Sequence, residues 1–173
     1  TGVDVLISAP QKGWSGPACA GFVMLSGRAI EAMEKTTSTS FAADLKKWSQ
    51  IMKTYESGAH AYHATMPTDA LRQVRDAMQE THGFGLEKAR AAQLQLGSRI
   101  REVLVGRGFP SVAAPGFESP TVVVSHTTDP DVKSGRKFLA IGMQVAAGVP
   151  LQCDEPPGFS TFRLGLFGLD KLG

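Results

Sequence analysis

No stretch of this chain approaches the ~20 consecutive apolar residues that a helix needs to cross a bilayer. Its 18 basic and 16 acidic residues leave a formal charge of only +2, with neither sign gathered into a block. No basic cluster is interleaved with aromatics, which argues against a nucleic-acid partner. The two cysteines, Cys19 and Cys153, are too few for a disulfide framework, and neither stands at metal-ligand spacing. The histidines, His60, His63, His82 and His126, show no such spacing either and read as surface or loop residues. Ser15 and Ser26 have no recognisable nucleophile context, so a hydrolase triad has no support. Repeats and low-complexity tracts are absent. What remains, 42% hydrophobic and 20% charged, is the composition of an ordinary soluble globular protein. A reducing, cytoplasmic setting is the expectation. The length, 173 residues, suits one compact domain or two small ones.

The apolar pattern predicts a mixed α/β order. Residues 3–8 are β-branched and apolar and read as a strand. A Gly/Pro loop, Gly13-Trp14-Ser15-Gly16-Pro17, leads to a second apolar run from Gly21 to Leu25. Helices are expected over 28–35 and over 41–55, where Leu45, Trp48, Ile51 and Met52 share a face. Thr68 is the expected N-cap of a helix striped by Leu71, Val74 and Met78. Gly83 and Gly85 mark a break, and residues 86–107 read as one long helix closed by Gly108. Its apolar positions are Ala89, Leu96, Ile100, Val103 and Leu104. After it the composition shifts. Thr121 to Val124 is a β run, 131–142 reads as helical, and 143–147 fits either a short strand or that helix's end. A proline-rich loop over 150–160 precedes the apolar alternation Phe162 to Phe167. A boundary is therefore expected near residue 108, between a helical part and a small α+β part. The sequence opens at Thr1 and enters a strand almost at once, and it stops just after an apolar run. Both ends read as cuts in a longer protein.

Three groups of residues could carry chemistry. Gln11 and Lys12 end the opening strand, where a rigid element can aim an amine at a bound carbonyl, as imine chemistry requires. The alternative is a surface lysine after an edge strand. In Tyr62-His63-Ala64-Thr65-Met66-Pro67, two hydroxyls lie three residues apart, suited to phosphate oxygens and equally to a local turn. Arg163 interrupts an apolar strand, and burying a guanidinium is costly unless it meets an anion. Its planar fork matches a carboxylate, which could belong to a ligand or to an internal Asp or Glu.

Together, Pro10-Gln11-Lys12, Tyr62-His63-Ala64-Thr65-Met66-Pro67 and Phe162-Arg163-Leu164-Gly165-Leu166-Phe167-Gly168 resemble motifs of the class V, fold-type I aminotransferases that use pyridoxal 5′-phosphate. The resemblance is to the alanine–glyoxylate and serine–pyruvate (serine–glyoxylate) enzymes, in order and spacing, across essentially the whole chain. It implies an α/β fold in which 1–108 is the end of the large cofactor-binding domain with a long linking helix. Residues 109–173 would then be a truncated small C-terminal α+β domain. It implies that Lys12 forms the internal aldimine and shuttles the proton, and that Gln11 joins the cofactor shell. Tyr62 and Thr65 would contact the cofactor phosphate of a neighbouring subunit, making a homodimer with shared active sites. Arg163 would hold the substrate carboxylate. The implied reaction moves an amino group from alanine or serine to glyoxylate or pyruvate. Family members often carry Ser where Pro10 stands, a change that stiffens the turn. The phosphate-holding Gly/Ser segment and the acid that protonates the pyridine nitrogen would lie upstream of Lys12. They would belong to a missing N-terminal half, the chain being either a proteolysed remnant or one chain of a nicked enzyme, so the fragment is expected to be inactive alone. Cysteine desulfurases or lyases, phosphoserine and aminoethylphosphonate aminotransferases, and a non-catalytic oligomerisation fragment are the competing readings. A desulfurase would carry a histidine before its lysine and a reactive loop cysteine, whereas Gln11 precedes Lys12 and Cys19 suits a packing role.

Overall fold

The structure is a computed structural model and describes residues 2–172. The chain forms two compact units, one built from residues 1–11 and 16–75, the other from 12–15 and 76–173.

In the first unit, β1 (Val5–Ser8) pairs antiparallel with β2 (Phe22–Leu25), with Val5 opposite Leu25 and Ser8 opposite Phe22. Ser26 ends the ribbon and starts α1 (Gly27–Glu34) by accepting from the Ala29 amide, which satisfies one free donor of the first turn. Its hydroxyl also donates to Asp4 at 2.7 Å, and Arg28 pairs with the same carboxylate. The Arg28 guanidinium, with help from Ser26, holds the Asp4 carboxyl below the usual range. The second helix, α2 (Leu45–Glu56), begins at Asp44, whose side chain accepts from the Lys47 amide. The expected helix over 41–55 therefore starts late: Asp44 is a better cap than anything before it. Helix α3 (Thr68–Phe84) contributes its first half here, burying Val74 to 3% exposure. Thr68 is already helical rather than capping, because the Pro67 carbonyl accepts from Leu71 as a first-turn bond.

In the second unit, α3 runs through Gly83 and stops before Gly85, whose φ of 102° turns the chain into α4 (Leu86–Gly106). The buried position on α4 is Gly97, not one of its large apolar residues, and Val103 is exposed. Gly97 lies against Pro120, where an added Cβ would stand 2.6 Å from the carbonyl oxygen and 2.7 Å from Cα. One turn to either side, Gln93 donates to the Pro120 carbonyl at 2.9 Å and Arg101 to the Ser119 carbonyl at 3.0 Å. Residues 93, 97 and 101 fall on one helix face by their four-residue spacing. They grip the segment that feeds the sheet.

That sheet is antiparallel, with β5 (Thr161–Gly165) between β3 (Val122–His126) and the two-residue β4 (Ala146–Ala147). Val123 and Phe162 are fully buried on one face, and the Phe109 and Phe138 rings pack on Phe162 at 5.4 and 5.6 Å. The expected helix over 131–142 is two short ones, α5 (Pro130–Lys133) and α6 (Arg136–Leu139). Gly135, at φ 82°, breaks them apart. Asp129 caps α5 and pairs with Lys137, which, with the Asp131 amide, holds its carboxyl below the ordinary value. Among the described residues, no helix is long and apolar enough to cross a membrane.

Candidate active site

Strand β1 ends at Ser8, and the chain then turns tightly through Pro10 to Gly16, whose amide donates to the Pro10 carbonyl at 2.9 Å. Inside that turn the Ser15 amide donates to the Lys12 carbonyl, also at 2.9 Å. Lys12 is thus presented by a short hydrogen-bonded loop rather than by a free tail. Its Nζ lies 5.7 Å from the centre of the Phe167 ring, and no carboxylate pairs with it among the described residues. Gln11 is exposed and makes no hydrogen bond among the described residues.

Sequence reasoning passed over what receives this loop. Ser15 adopts φ 51°, uncommon for a residue with a side chain. Its hydroxyl approaches the Asp170 carboxylate at 3.4 Å. Gly168, at φ 105° and ψ 148°, occupies backbone territory essentially reserved for glycine. A Cβ there would collide with Ser15 Oγ and stand 2.5 Å from Asp170 Oδ1. Lys171 holds the Asp170 carboxyl below its usual range, so Asp170 is an ionised acceptor. A small cavity of about 190 Å³ opens beside the turn, lined by Gly13, Gln93, Phe167 and Leu172 among others. A larger one, about 460 Å³, lies between Phe109, His126, Asp129 and Phe159. Neither is lined by Lys12 or Arg163.

Arg163 sits on the central strand β5, opposite Val124 on β3 and Ala146 on β4. It is half-buried, and its Nε donates to the Ala147 carbonyl at 2.9 Å. That bond fixes the guanidinium plane and leaves its two terminal NH2 groups to other acceptors. No Asp or Glu pairs with Arg163 among the described residues, so an internal carboxylate does not account for it.

Tyr62 and Thr65 belong to the first unit. Their hydroxyls lie 3.2 Å apart, and Tyr62 is 70% exposed. Between them His63 is clasped by two rings, Phe41 at 4.4 Å and Trp48 at 4.8 Å, with its Nε2 at 3.2 Å from the Phe41 carbonyl. The clasp explains how a segment outside any helix or strand holds two adjacent hydroxyls outward. The donor types suit pyridoxal phosphate: an amine without an acid, an outward hydroxyl pair for phosphate, and a guanidinium with its fork open. Lys12 and Arg163 lie in one unit, and Gln11, Tyr62 and Thr65 in the other.

No family model matches the chain. It is 28% identical over 170 residues to 2-aminoethylphosphonate–pyruvate transaminase 1 of Burkholderia lata, covering 97% of this chain and 44% of that protein. Alanine–glyoxylate aminotransferase 1 of Saccharomyces cerevisiae is 28% identical over 108 residues, which is 60% of this chain and 28% of the yeast protein. In fold, the crystal structure of an alanine–glyoxylate aminotransferase from Nostoc sp. superposes with a TM-score of 0.81 at 20% identity, covering 99% of this chain and 45% of that one. The chain spans less than half the length of these relatives. It has the fold of the C-terminal part of the fold-type I aminotransferases and is similar in sequence to class V, pyridoxal-phosphate-dependent members of that group.

Proposed function

We propose that this chain is the lysine-bearing part of a pyridoxal-phosphate-dependent aminotransferase, and that Lys12 is its reactive amine. The carrying observation is that Lys12 and Arg163 both lack carboxylate partners among the described residues. A positive group left without an acid inside its own protein is free to meet an anion or a carbonyl from elsewhere. When bound, the cofactor supplies the aldehyde that takes up an amino group and the ring that accepts its electrons. The chain's own residues do the rest. Lys12 Nζ would hold the cofactor at rest and, once freed by the substrate, would carry a proton away from the donor's Cα. Arg163 accepts the substrate's anionic end on its two free NH2 groups, which fixes the Cα position relative to Nζ. Tyr62 and Thr65 donate to phosphate oxygens, in the partner subunit of a homodimer, and Gln11 adds a polar contact to the cofactor. Residues 1–108 would close the large domain and 109–173 begin the small one.

The donor is proposed to be alanine or serine and the acceptor glyoxylate or pyruvate, in a cytoplasmic enzyme. A second reading has its own support, because the relatives matched over nearly the whole chain are 2-aminoethylphosphonate–pyruvate transaminases. There Arg163 would receive a phosphonate from the donor and a carboxylate from pyruvate. Steady-state assays of the full-length protein with alanine, serine and 2-aminoethylphosphonate as donors separate the two. Lys12→Ala should abolish transamination with every donor while leaving the circular dichroism spectrum unchanged. Retained turnover in that variant would remove Lys12 from the role given to it.

A further inference from the structure

The reactive amine and the anion clamp are separated by some 150 positions in the chain, yet catalysis requires both to be registered to one substrate. We propose that the exit of β5 is the common reference for both, with Phe167 and Gly168 acting as positioning residues for Lys12. The inference rests on the aminotransferase reading of Lys12 and adds the device that sets its amine in place.

Three observations converge on it. Arg163 lies on β5, and its Nε is tied to the neighbouring strand by the bond to Ala147. Four residues on, at most about 14 Å along an extended chain, the Phe167 ring lies beneath Lys12 Nζ. Next, Gly168 leaves the space that Ser15 fills, and Asp170 receives the Ser15 hydroxyl. The lysine loop is thereby seated at both ends: its tip amine over an aromatic face, and its closing residue in a notch that only a glycine backbone permits. Neither contact has a purely local reason, since 155 residues separate Ser15 from Asp170.

The seat has one consequence for the reaction. A lysine side chain has four rotatable bonds, and fixing it costs rotamer entropy. A ring beneath it removes part of that cost before substrate arrives. The ring acts on the amine and not on the carboxylate clamp. It should therefore affect turnover and leave substrate affinity alone.

The test uses the full-length protein with Phe167→Leu, Phe167→Tyr and Gly168→Ala. Pyridoxal 5′-phosphate is added to the cofactor-free protein, the adduct is fixed with borohydride at short times, and the Lys12 peptide is quantified by mass spectrometry. Phe167→Leu should slow labelling of Lys12 and lower kcat by about two- to fivefold, the size of an exposed cation–π contact. The KM for the amino donor should stay within about twofold. Phe167→Tyr, which keeps the ring face, should restore both rates. Gly168→Ala should slow labelling at least as much, and if it fails to fold, the Phe167 pair decides alone. Wild-type labelling and kcat in Phe167→Leu, or a loss that Phe167→Tyr does not restore, overturns the seat. Absence of label on Lys12 in the unaltered protein would instead overturn the aminotransferase reading, so the two failures are distinct.

Discussion

Replacing Gly97 by alanine sets two physical effects against each other. In an exposed helix interior, Gly→Ala stabilises by about 1 kcal/mol, because glycine gives up more backbone freedom on folding. At Gly97 the added methyl would stand 2.6 Å from the Pro120 carbonyl oxygen and 3.0 Å from its carbonyl carbon. These are backbone atoms that cannot swing aside as a side-chain tip would. Either α4 or the 119–120 segment must move. Overpacking of this kind costs about 1–3 kcal/mol, and the movement stretches the Gln93 bond to Pro120, worth about 1 kcal/mol. The balance is a net loss of about 2 kcal/mol, or roughly 4–8 °C in melting temperature for a protein of this size. Gly83 provides the control. It lies inside α3 with nothing within 4 Å of an added Cβ, so Gly83→Ala should raise the melting temperature by a few degrees. Thermal unfolding followed at 222 nm reads both. A Gly97→Ala protein that melts at or above the parent would mean that α4 does not press on Pro120 as described.

Further expectations concern charge and the cofactor. Arg163→Lys keeps the charge but loses the planar fork. It should raise KM for both amino and oxo substrates by about 10- to 100-fold, the worth of a charge-assisted pair; unchanged KM values would leave Arg163 only its bond to Ala147. Tyr62→Phe and Thr65→Val should each weaken cofactor binding about tenfold, measured by fluorescence titration of cofactor-free protein, and equal affinity in both would return the pair to a local turn. The depressed Asp4 carboxyl makes the Asp4–Arg28 pair stabilising above the unfolded carboxylate value of about 3.9, an advantage lost as pH falls through the lower folded value. Urea midpoints of the parent and Asp4→Asn should therefore differ at pH 6 and converge below about pH 3. A constant difference across that range would exclude ionisation of Asp4 as its cause.

What the sequence revealed divides along the distance over which each feature is determined. The paired runs of β1 and β2, the helices from 45 to 106 and the β run at 122–126 follow from period and composition, and all were legible. Two misplaced features trace to glycine. A pattern of apolar residues assigns no packing role to a residue without a side chain, so it favoured Val103, which is exposed, over Gly97, which is buried. It also ran a helix through Gly135, where a left-handed backbone divides two short ones. Lys12, Arg163 and the Tyr62–Thr65 pair were singled out as candidates by residue type and order. Their surroundings were not. The contact of Ser15 with Gly168 joins segments about 150 residues apart, and no local period reports on it. One clue was available: a glycine directly after Phe167, just beyond a strand that carries an arginine among apolar residues.

The β1–β2 ribbon bears on how this chain can be handled at the bench. Every residue of β1 is exposed, Ile7 to 71%, and Met24 on β2 is exposed as well. Oily side chains therefore face water on both sides of a strip only two strands wide, whose outer edges pair with no further strand among the described residues. A two-stranded strip of this kind has little stability by itself and is an aggregation hazard. Produced alone in bacteria, these 173 residues should collect in inclusion bodies, and any preparation that stays clear needs light scattering before its inactivity is interpreted.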